Sequence, residues 1–325
     1  MRNQDIKSIK IVFFGTSEFA VPTLKALIRA QYEVAAIITQ PDKPVGRKQV
    51  LSPPPIKTVA KKLGLKIFQP QSLKNETLEN LLKIKNSKLK IDFGVVAAYG
   101  KIIPKRYLDV PKYGFTNIHP SLLPKYRGPS PVQTAIMNGE KETGITIMKM
   151  DEQIDHGPIL AKREFSIFNF QFSNSKDLEK KLAELGAKLL IETLPKYISG
   201  QIKPESQDHG QATFTKLLTR EDGLIDWNKT AEEIYNQIRA LNPEPGTWTI
   251  WKNKVLNILS CDINPDGTTC DVVPSGTVVK INSRIAVQTK KCYLILKQIQ
   301  LESGKEMDAK SFLNGHPDFL SSRLE

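Results

Sequence analysis

I-K-I-V-F-F-G from Ile9 to Gly15, F-A-V-P-T-L-K-A-L-I-R from Phe19 to Arg29 and V-A-A-I-I-T from Val34 to Thr39 decide the fold. The first and third segments are short, apolar and β-branched, the signature of buried strands. Between them Phe19, Leu24, Leu27 and Ile28 recur at helical spacing, and Thr16-Ser17-Glu18 offers side chains that could cap the helix start. Strand, helix and strand in about thirty residues make a βαβ unit. The rhythm continues with a helix over Ile56–Leu63, a short strand over Lys66–Phe68, a helix over Glu76–Ile84 and a strand over Ile91–Ala97. Alternating β and α imply a Rossmann-like α/β fold: an open, mostly parallel sheet with helices on both faces. Ligands in such sheets sit at the carboxyl ends of the strands, where Gly15, Tyr99-Gly100 and His119 fall.

Further along, Gly144–Met150 alternates as a strand and Pro158–Ile167 reads as an antiparallel one. Ser175–Ile198 is the longest helix, with Leu178, Leu182, Leu185, Leu189 and Leu190 on one stripe and Ser175 as its expected N-cap. From Ser199 to Arg220 the composition turns polar, with Gly and Pro, and reads as a linker. A short helix over Thr230–Leu241 then precedes strand-like runs at Thr247–Trp251, Val255–Cys261, Ser275–Ile281, Ile285–Gln288 and Tyr293–Leu301. Short strands at that spacing imply a small OB-like β-barrel. The expected organisation is a catalytic domain over residues 1–200, a linker over 201–221 and a smaller barrel domain over 222–325.

Composition narrows the class. With 40% hydrophobic and 25% charged residues in 325, the chain is an ordinary globular protein. No apolar run approaches the length of a membrane span. The opening M-R-N-Q-D-I-K-S shows no signal-peptide core. Cys261, Cys270 and Cys292 lack C-x-x-C spacing and read as free thiols, so a cytoplasmic location is expected. The net charge of +13 is concentrated: residues 1–150 hold 25 Lys and Arg against 10 Asp and Glu, whereas 151–250 hold 12 against 16. Such a basic half suits a polyanionic partner, nucleic acid first. Lys83, Lys85, Lys88 and Lys90 read instead as a solvated helix and its exit.

The chemistry points to F-T-N-I-H-P-S-L-L-P-K-Y-R-G, Phe115 to Gly128. On a strand, side chains two apart share a face, so Asn117 and His119 point together. Pro120 and Pro124 lack an N–H and fix φ, bracketing Ser121-Leu122-Leu123 in a stiff, extended loop. An amide can donate to a developing oxyanion, and an imidazole can move a proton near neutral pH. Together they imply acyl transfer. A carboxylate beside His119 would orient it, and both Asp151 and Asp155 follow the next strand. The four histidines are too scattered for a zinc site, so no metal is expected. Neither G-x-G-x-x-G nor a P-loop is present, which leaves Gly15-Thr16-Ser17 as a tight turn. The loop from Gln40 to Pro55 is long, carries Lys43, Arg47 and Lys48, and could grip a phosphate backbone from a structureless, proline-framed tip at Gly46.

Five segments, V-F-F-G-T-S-E-F-A-V-P, T-Q-P-D-K-P-V-G-R, V-A-A-Y-G-K-I-I-P, N-I-H-P-S-L-L-P-K-Y-R-G and M-D-E-Q-I-D-H-G, resemble in order and spacing the methionyl-tRNA formyltransferase family. I-D-W at Ile225–Trp227 and N-P-E-P-G at Asn242–Gly246 extend the resemblance through nearly the whole chain. The S-L-L-P-x-x-R-G element alone marks only the wider superfamily that uses formyltetrahydrofolate. The resemblance implies 10-formyltetrahydrofolate as formyl donor, the α-amine of initiator methionyl-tRNA as acceptor, and no metal; a monomer is the plain expectation, and the lack of a long apolar run leaves no membrane partner expected. It implies Asn117, His119 and Asp155 as the catalytic triplet. Ser121, Leu122, Leu123 and Pro124 would be the folate-contacting segment. Arg47, with Lys43 and Lys48, would meet the tRNA acceptor stem, and the C-terminal domain would help hold the tRNA. Two departures stand out: Lys48-Gln49-Val50 where many relatives have Gly-Lys-Lys, and His156 where Thr is common. A sister enzyme acting on a nucleotide-sugar or purine-precursor amine would share the triplet but have no use for the basic loop. A non-catalytic RNA-binding protein would share the charge but need no triplet.

Overall fold

A computed structural model describes residues 9–46, 49–74, 91–167, 172, 174–264 and 273–325. The described residues form two compact units, one within Met1–Pro131, Glu142–Ser166 and Glu179–Thr215, the other within Val132–Lys141, Ile167–Leu178 and Lys216–Glu325. Among the described residues no helix is long and apolar enough to cross a membrane.

The first unit is built on β1 (Lys10–Gly15), α1 (Ala20–Arg29), β2 (Glu33–Ile38), β3 (Lys43–Val45), β4 (Val50–Ser52), α2 (Pro55–Lys62), β5 (Ile67–Phe68), β6 (Phe93–Ala97), α3 (Lys105–Leu108) and β7 (Phe115–His119). It continues with β8 (Glu142–Lys149), β9 (Ile159–Ser166) and, from Glu179 on, α5 (Ser175–Ile198); α4 (Pro131–Met137), from Val132 on, and the start of α5 belong to the second unit. Seven strands make one sheet in the order β5-β2-β1-β6-β7-β8-β9. The pairings from β5 through β7 are parallel, and β7–β8 and β8–β9 are antiparallel. β7 is therefore the seam between the two halves. Val12, Phe14, Val96, Tyr99 and Phe115 fill one face, with the Phe14 ring edge-on to Tyr99 and Phe115 at 5.1 and 5.5 Å. Gly94 is required there, because a Cβ would lie 2.2 Å from the Phe115 ring. Across the sheet, α5 brings Gly186 against Ile118.

Helix starts differ from the sequence expectation in two places. Phe19 occupies the N-cap of α1 without a side-chain bond, because Thr16 spends its hydroxyl on the Tyr99 carbonyl at 2.9 Å. Asn174, one residue ahead of Ser175, accepts from the N–H groups of Lys176 and Asp177 and so caps α5. The expected helix over Glu76–Ile84 lies outside the described residues.

The second unit carries α6 (Ala231–Leu241), β10 (Trp248–Trp251), β11 (Lys254–Ile263), β12 (Val278–Ile281), β13 (Arg284–Gln288), β14 (Tyr293–Leu301), β15 (Met307–Asp308) and α7 (Ala309–Gly315). Thr230 caps α6 through a reciprocal box with Glu233, a device worth about 1 kcal/mol. The antiparallel sheet runs β10-β11-β14-β13-β12, with β15 on β14. Its two edges are joined by residues 321–325: Ser321 and Ser322 bond to Val278 on one edge, Glu325 to Ile250 on the other. The sheet is thus curled into a half-barrel over Trp227, Ile238, Trp251, Leu256, Phe312 and Phe319. This is the OB-like domain that the strand spacing implied.

Candidate active site

β7 positions the chemistry. Register pairs Asn117 with Met148 and His119 with Thr146 on β8, which fixes both side chains on one face. The connection from β8 to β9 then folds over them. In it Asp155 adopts a left-handed φ of 48°. Gly157 allows the chain to pass close to β8, since a Cβ would sit 2.0 Å from the Lys149 carbonyl. The result is a convergent triplet. Asn117 Nδ2 donates to Asp155 Oδ1 at 3.1 Å. Asp155 Oδ2 accepts from the Gly128 N–H at 2.8 Å and lies 3.5 Å from His119 Nδ1. The other ring nitrogen, Nε2, faces the Tyr126 carbonyl at 2.9 Å. His119 is buried, so acceptors on both sides hold its ring in one plane.

The structure separates the two aspartates that spacing left open. Asp151 accepts from His156 Nδ1 at 2.6 Å and from the Gln153 N–H, away from His119. His156 in turn stacks on His209 with ring centroids 4.0 Å apart.

After β7 the loop is a turn rather than an extended wall. Ser121 Oγ donates to the Lys125 carbonyl at 2.6 Å and the Lys125 N–H to Leu122, so local hydrogen bonds override the proline bias. Thr146 ties the turn to β8 through the Ser121 carbonyl and the Leu123 N–H. Ser121 and Leu123 are buried, while Leu122 and Pro124 are half-exposed.

The basic loop is also more regular than expected. Lys43, Pro44 and Val45 pair with Ser52, Leu51 and Val50 in a two-stranded ribbon, with exposed Val50 and Leu51 on the returning strand. Lys43 is exposed on it, whereas Arg47 and Lys48 lie outside the described residues. The root of the ribbon is tied down. Asp42 accepts from Lys57 Nζ at 2.7 and 2.8 Å and from Gln69 Nε2 at 2.8 Å. The Gln69 amide and the Lys57 ammonium hold the Asp42 carboxyl below its ordinary range. Gln40 Nε2 donates to the Tyr99 carbonyl, which links this root to the carboxyl end of β6. Burial, with Tyr107 adding to it, pushes the Tyr99 phenol up to about 12, so it stays neutral.

Residues 201–215, expected within a linker, run along the triplet. Glu205 pairs with Ile159 through both backbone bonds, and Arg127 bridges to Thr213 and Thr215 in the same way. Gln207 is buried between them, beside the buried Arg127. A lone Gln in a polar stretch carries no periodic or spacing signal, so sequence reasoning passed over it. Among the described residues no cluster of three or more His, Cys, Asp or Glu could hold a metal ion.

Comparison with known proteins fits this geometry. Residues 9–194 match the formyl transferase family model, and residues 217–317 match the model of the formyl transferase C-terminal domain. A methionyl-tRNA formyltransferase of Caldicellulosiruptor saccharolyticus is 47% identical over 309 residues, covering 94% of this chain and 96% of its own length. Among solved structures, a methionyl-tRNA formyltransferase from Clostridium thermocellum aligns with a TM-score of 0.52 at 19% identity, covering 79% of this chain and 95% of that one. An N-formyltransferase from Helicobacter canadensis, in complex with folinic acid and dTDP-3-aminofucose, aligns with a TM-score of 0.63 at 20% identity, covering 92% and 100%. At such identities the structural likeness speaks for the fold alone.

Proposed function

Because this chain belongs to the methionyl-tRNA formyltransferase family, we propose that its triplet performs the family's reaction. The enzyme transfers the formyl group of 10-formyltetrahydrofolate to the α-amine of initiator methionyl-tRNA. The observation that carries the reading is the convergence of the Asn117 amide, the His119 ring and the Asp155 carboxylate at the seam of the sheet.

The roles follow from the atoms present. Acyl transfer to an amine needs a donor toward the oxygen that gains negative charge, and Asn117 Nδ2 supplies one. The attacking amine must lose a proton. His119 takes it as the new carbon–nitrogen bond forms and passes it to the folate N10 as the old carbon–nitrogen bond breaks and tetrahydrofolate leaves; the Asp155 carboxylate 3.5 Å from Nδ1 stabilises the charged ring in between. The donor group fits beside Leu122 and Pro124, the two half-exposed residues of the turn after β7. They offer it apolar contact, and the buried Ser121 hydroxyl keeps the turn closed.

The acceptor is read from charge. Residues 1–150 carry the surplus of Lys and Arg, Lys43 stands exposed on the β3–β4 ribbon, and Arg47 and Lys48 follow it in the sequence. These residues grip the acceptor stem through phosphates, and the half-barrel domain over residues 222–325 holds the rest of the tRNA. The catalytic domain is 1–200, and the enzyme works as a cytoplasmic monomer. Arg47→Ala is expected to raise KM for tRNA while folate binding stays unchanged; an unaltered kcat/KM for tRNA removes Arg47 from the interface.

The test is transfer of labelled formyl from 10-formyltetrahydrofolate to methionine-charged initiator tRNA, with a nucleotide-sugar amine and a purine-precursor amine as parallel acceptors. Label on the tRNA alone is the expected result. Label on a small amine alone keeps the triplet and reassigns the acceptor. Folded protein that binds tRNA and transfers no label refutes the reading.

A further inference from the structure

The two groups that orient the His119 ring share a feature. Asp155 and Tyr126 both hold left-handed backbone, with φ of 48° and 60°, and neither is glycine. Such conformations persist in non-glycine residues only where surrounding structure over-determines them. Both are pinned by the same segment, residues 205–215. Gln207 Nε2 donates to the Asp155 carbonyl at 2.9 Å and to the Gly157 carbonyl at 2.7 Å, clamping the turn that carries the carboxylate. Gln207 Oε1 accepts from Arg127 Nε and Nη2 at 3.2 and 2.7 Å. Arg127 adjoins Tyr126, whose N–H donates to Thr213 Oγ1 at 2.8 Å. One carboxamide thus uses both of its hydrogens and its oxygen to tie the Asp155 turn to the turn after β7 that presents the Tyr126 carbonyl.

We propose that Gln207 is a positioning residue: it fixes the backbone of Asp155 and, through Arg127, the Tyr126 carbonyl, and so sets the plane and partners of the His119 ring. The proposal rests on the catalytic reading of the triplet. Gln207 touches none of the three reacting side chains, and its influence passes through backbone carbonyls. A segment whose composition reads as a linker is, on this account, the strap that holds the site in shape.

Two variants test it. Gln207→Leu removes every bond. Gln207→Glu keeps an acceptor for Arg127, now charge-assisted, but offers no hydrogen to the Asp155 and Gly157 carbonyls. A purely structural role predicts lower stability in both variants, with kcat and the His119 resonances of the folded protein unchanged. A positioning role predicts that kcat falls about tenfold to a hundredfold in both variants, the range expected for displacement of a reacting group by about 1 Å. KM for tRNA and for the folate is expected to stay within about twofold. The His119 ring nitrogen resonances, assigned with His119→Asn, are expected to shift in both variants. Unchanged kcat and unchanged His119 resonances in Gln207→Glu overturn the proposal, and this variant decides the matter if Gln207→Leu does not fold. If the wild-type protein transfers no formyl group, the functional reading fails separately, and the His119 resonances still decide whether Gln207 positions the ring.

Discussion

Two aspartate–histidine pairs lie within a few residues of each other and differ in almost every respect. Asp151 and His156 are 2.6 Å apart, with side chains 35% and 27% exposed. Asp155 and His119 are 3.5 Å apart, with side chains 13% and 4% exposed. By distance alone the first is the stronger pair. Yet its partners are only half-buried, and the more a pair is open to solvent the closer its worth falls to the ~1 kcal/mol or less of a surface pair. The second pair is shared with an amide, a backbone N–H and a backbone carbonyl, all converging on a buried imidazole. The lesson is that burial and convergence, not contact distance, single out the pair proposed to do the chemistry.

The comparison breaks most visibly at the triplet. Asn117→Ala or His119→Ala is expected to slow the chemical step by about 10²- to 10⁴-fold, the range for loss of an oxyanion donor or a general base. Binding of tRNA, followed by filter retention, should remain near wild type. Wild-type turnover by either folded variant would remove it from the mechanism. The more exposed pair should respond far less. Asp151→Asn and His156→Ala are each expected to change kcat and KM by less than about fivefold, the limit set by an exposed ion pair. A larger loss in steady-state assays would mean that the His156–His209 stack feeds into the site.

A third carboxylate sharpens the contrast by acting on stability alone. Asp42 is held below its ordinary value of 3.8 chiefly by Gln69, then by Lys57. A depressed carboxyl contributes its stability above the unfolded value and loses it as pH falls through the folded one. Urea midpoints of the wild type should therefore drop more steeply below pH 3.8 than those of Asp42→Asn. Parallel curves would show that the Lys57 and Gln69 contacts do not persist in solution. The effect is small, because the group is exposed.

Much of this was legible in the sequence because apolar patterning reports burial directly. The β-branched runs at Ile11–Phe14 and Val34–Ile38 could only be core strands, and they are. Asn117 and His119 were legible because a strand's two-residue period puts them on one face. The choice between Asp155 and Asp151 was not legible from spacing, because it depends on which way a turn curls. The ribbon of residues 43–52 was hidden because Pro44 and Gly46 read as loop breakers, although β3 needs only three residues to pair. Gln207 left no trace at all. Its side chain bonds to two backbone carbonyls and one guanidinium brought together from distant parts of the chain, and a polar residue in a polar stretch has no pattern to break.

The most direct test of the account is the single-turnover rate of labelled formyl transfer to initiator methionyl-tRNA by Asp155→Asn beside Asp151→Asn. The account predicts a loss of about a hundredfold or more for Asp155→Asn, which exchanges the acceptor facing His119 and Asn117 for an amide, and a rate within about fivefold of wild type for Asp151→Asn. Equal rates in the two variants, or the larger loss in Asp151→Asn, would contradict it.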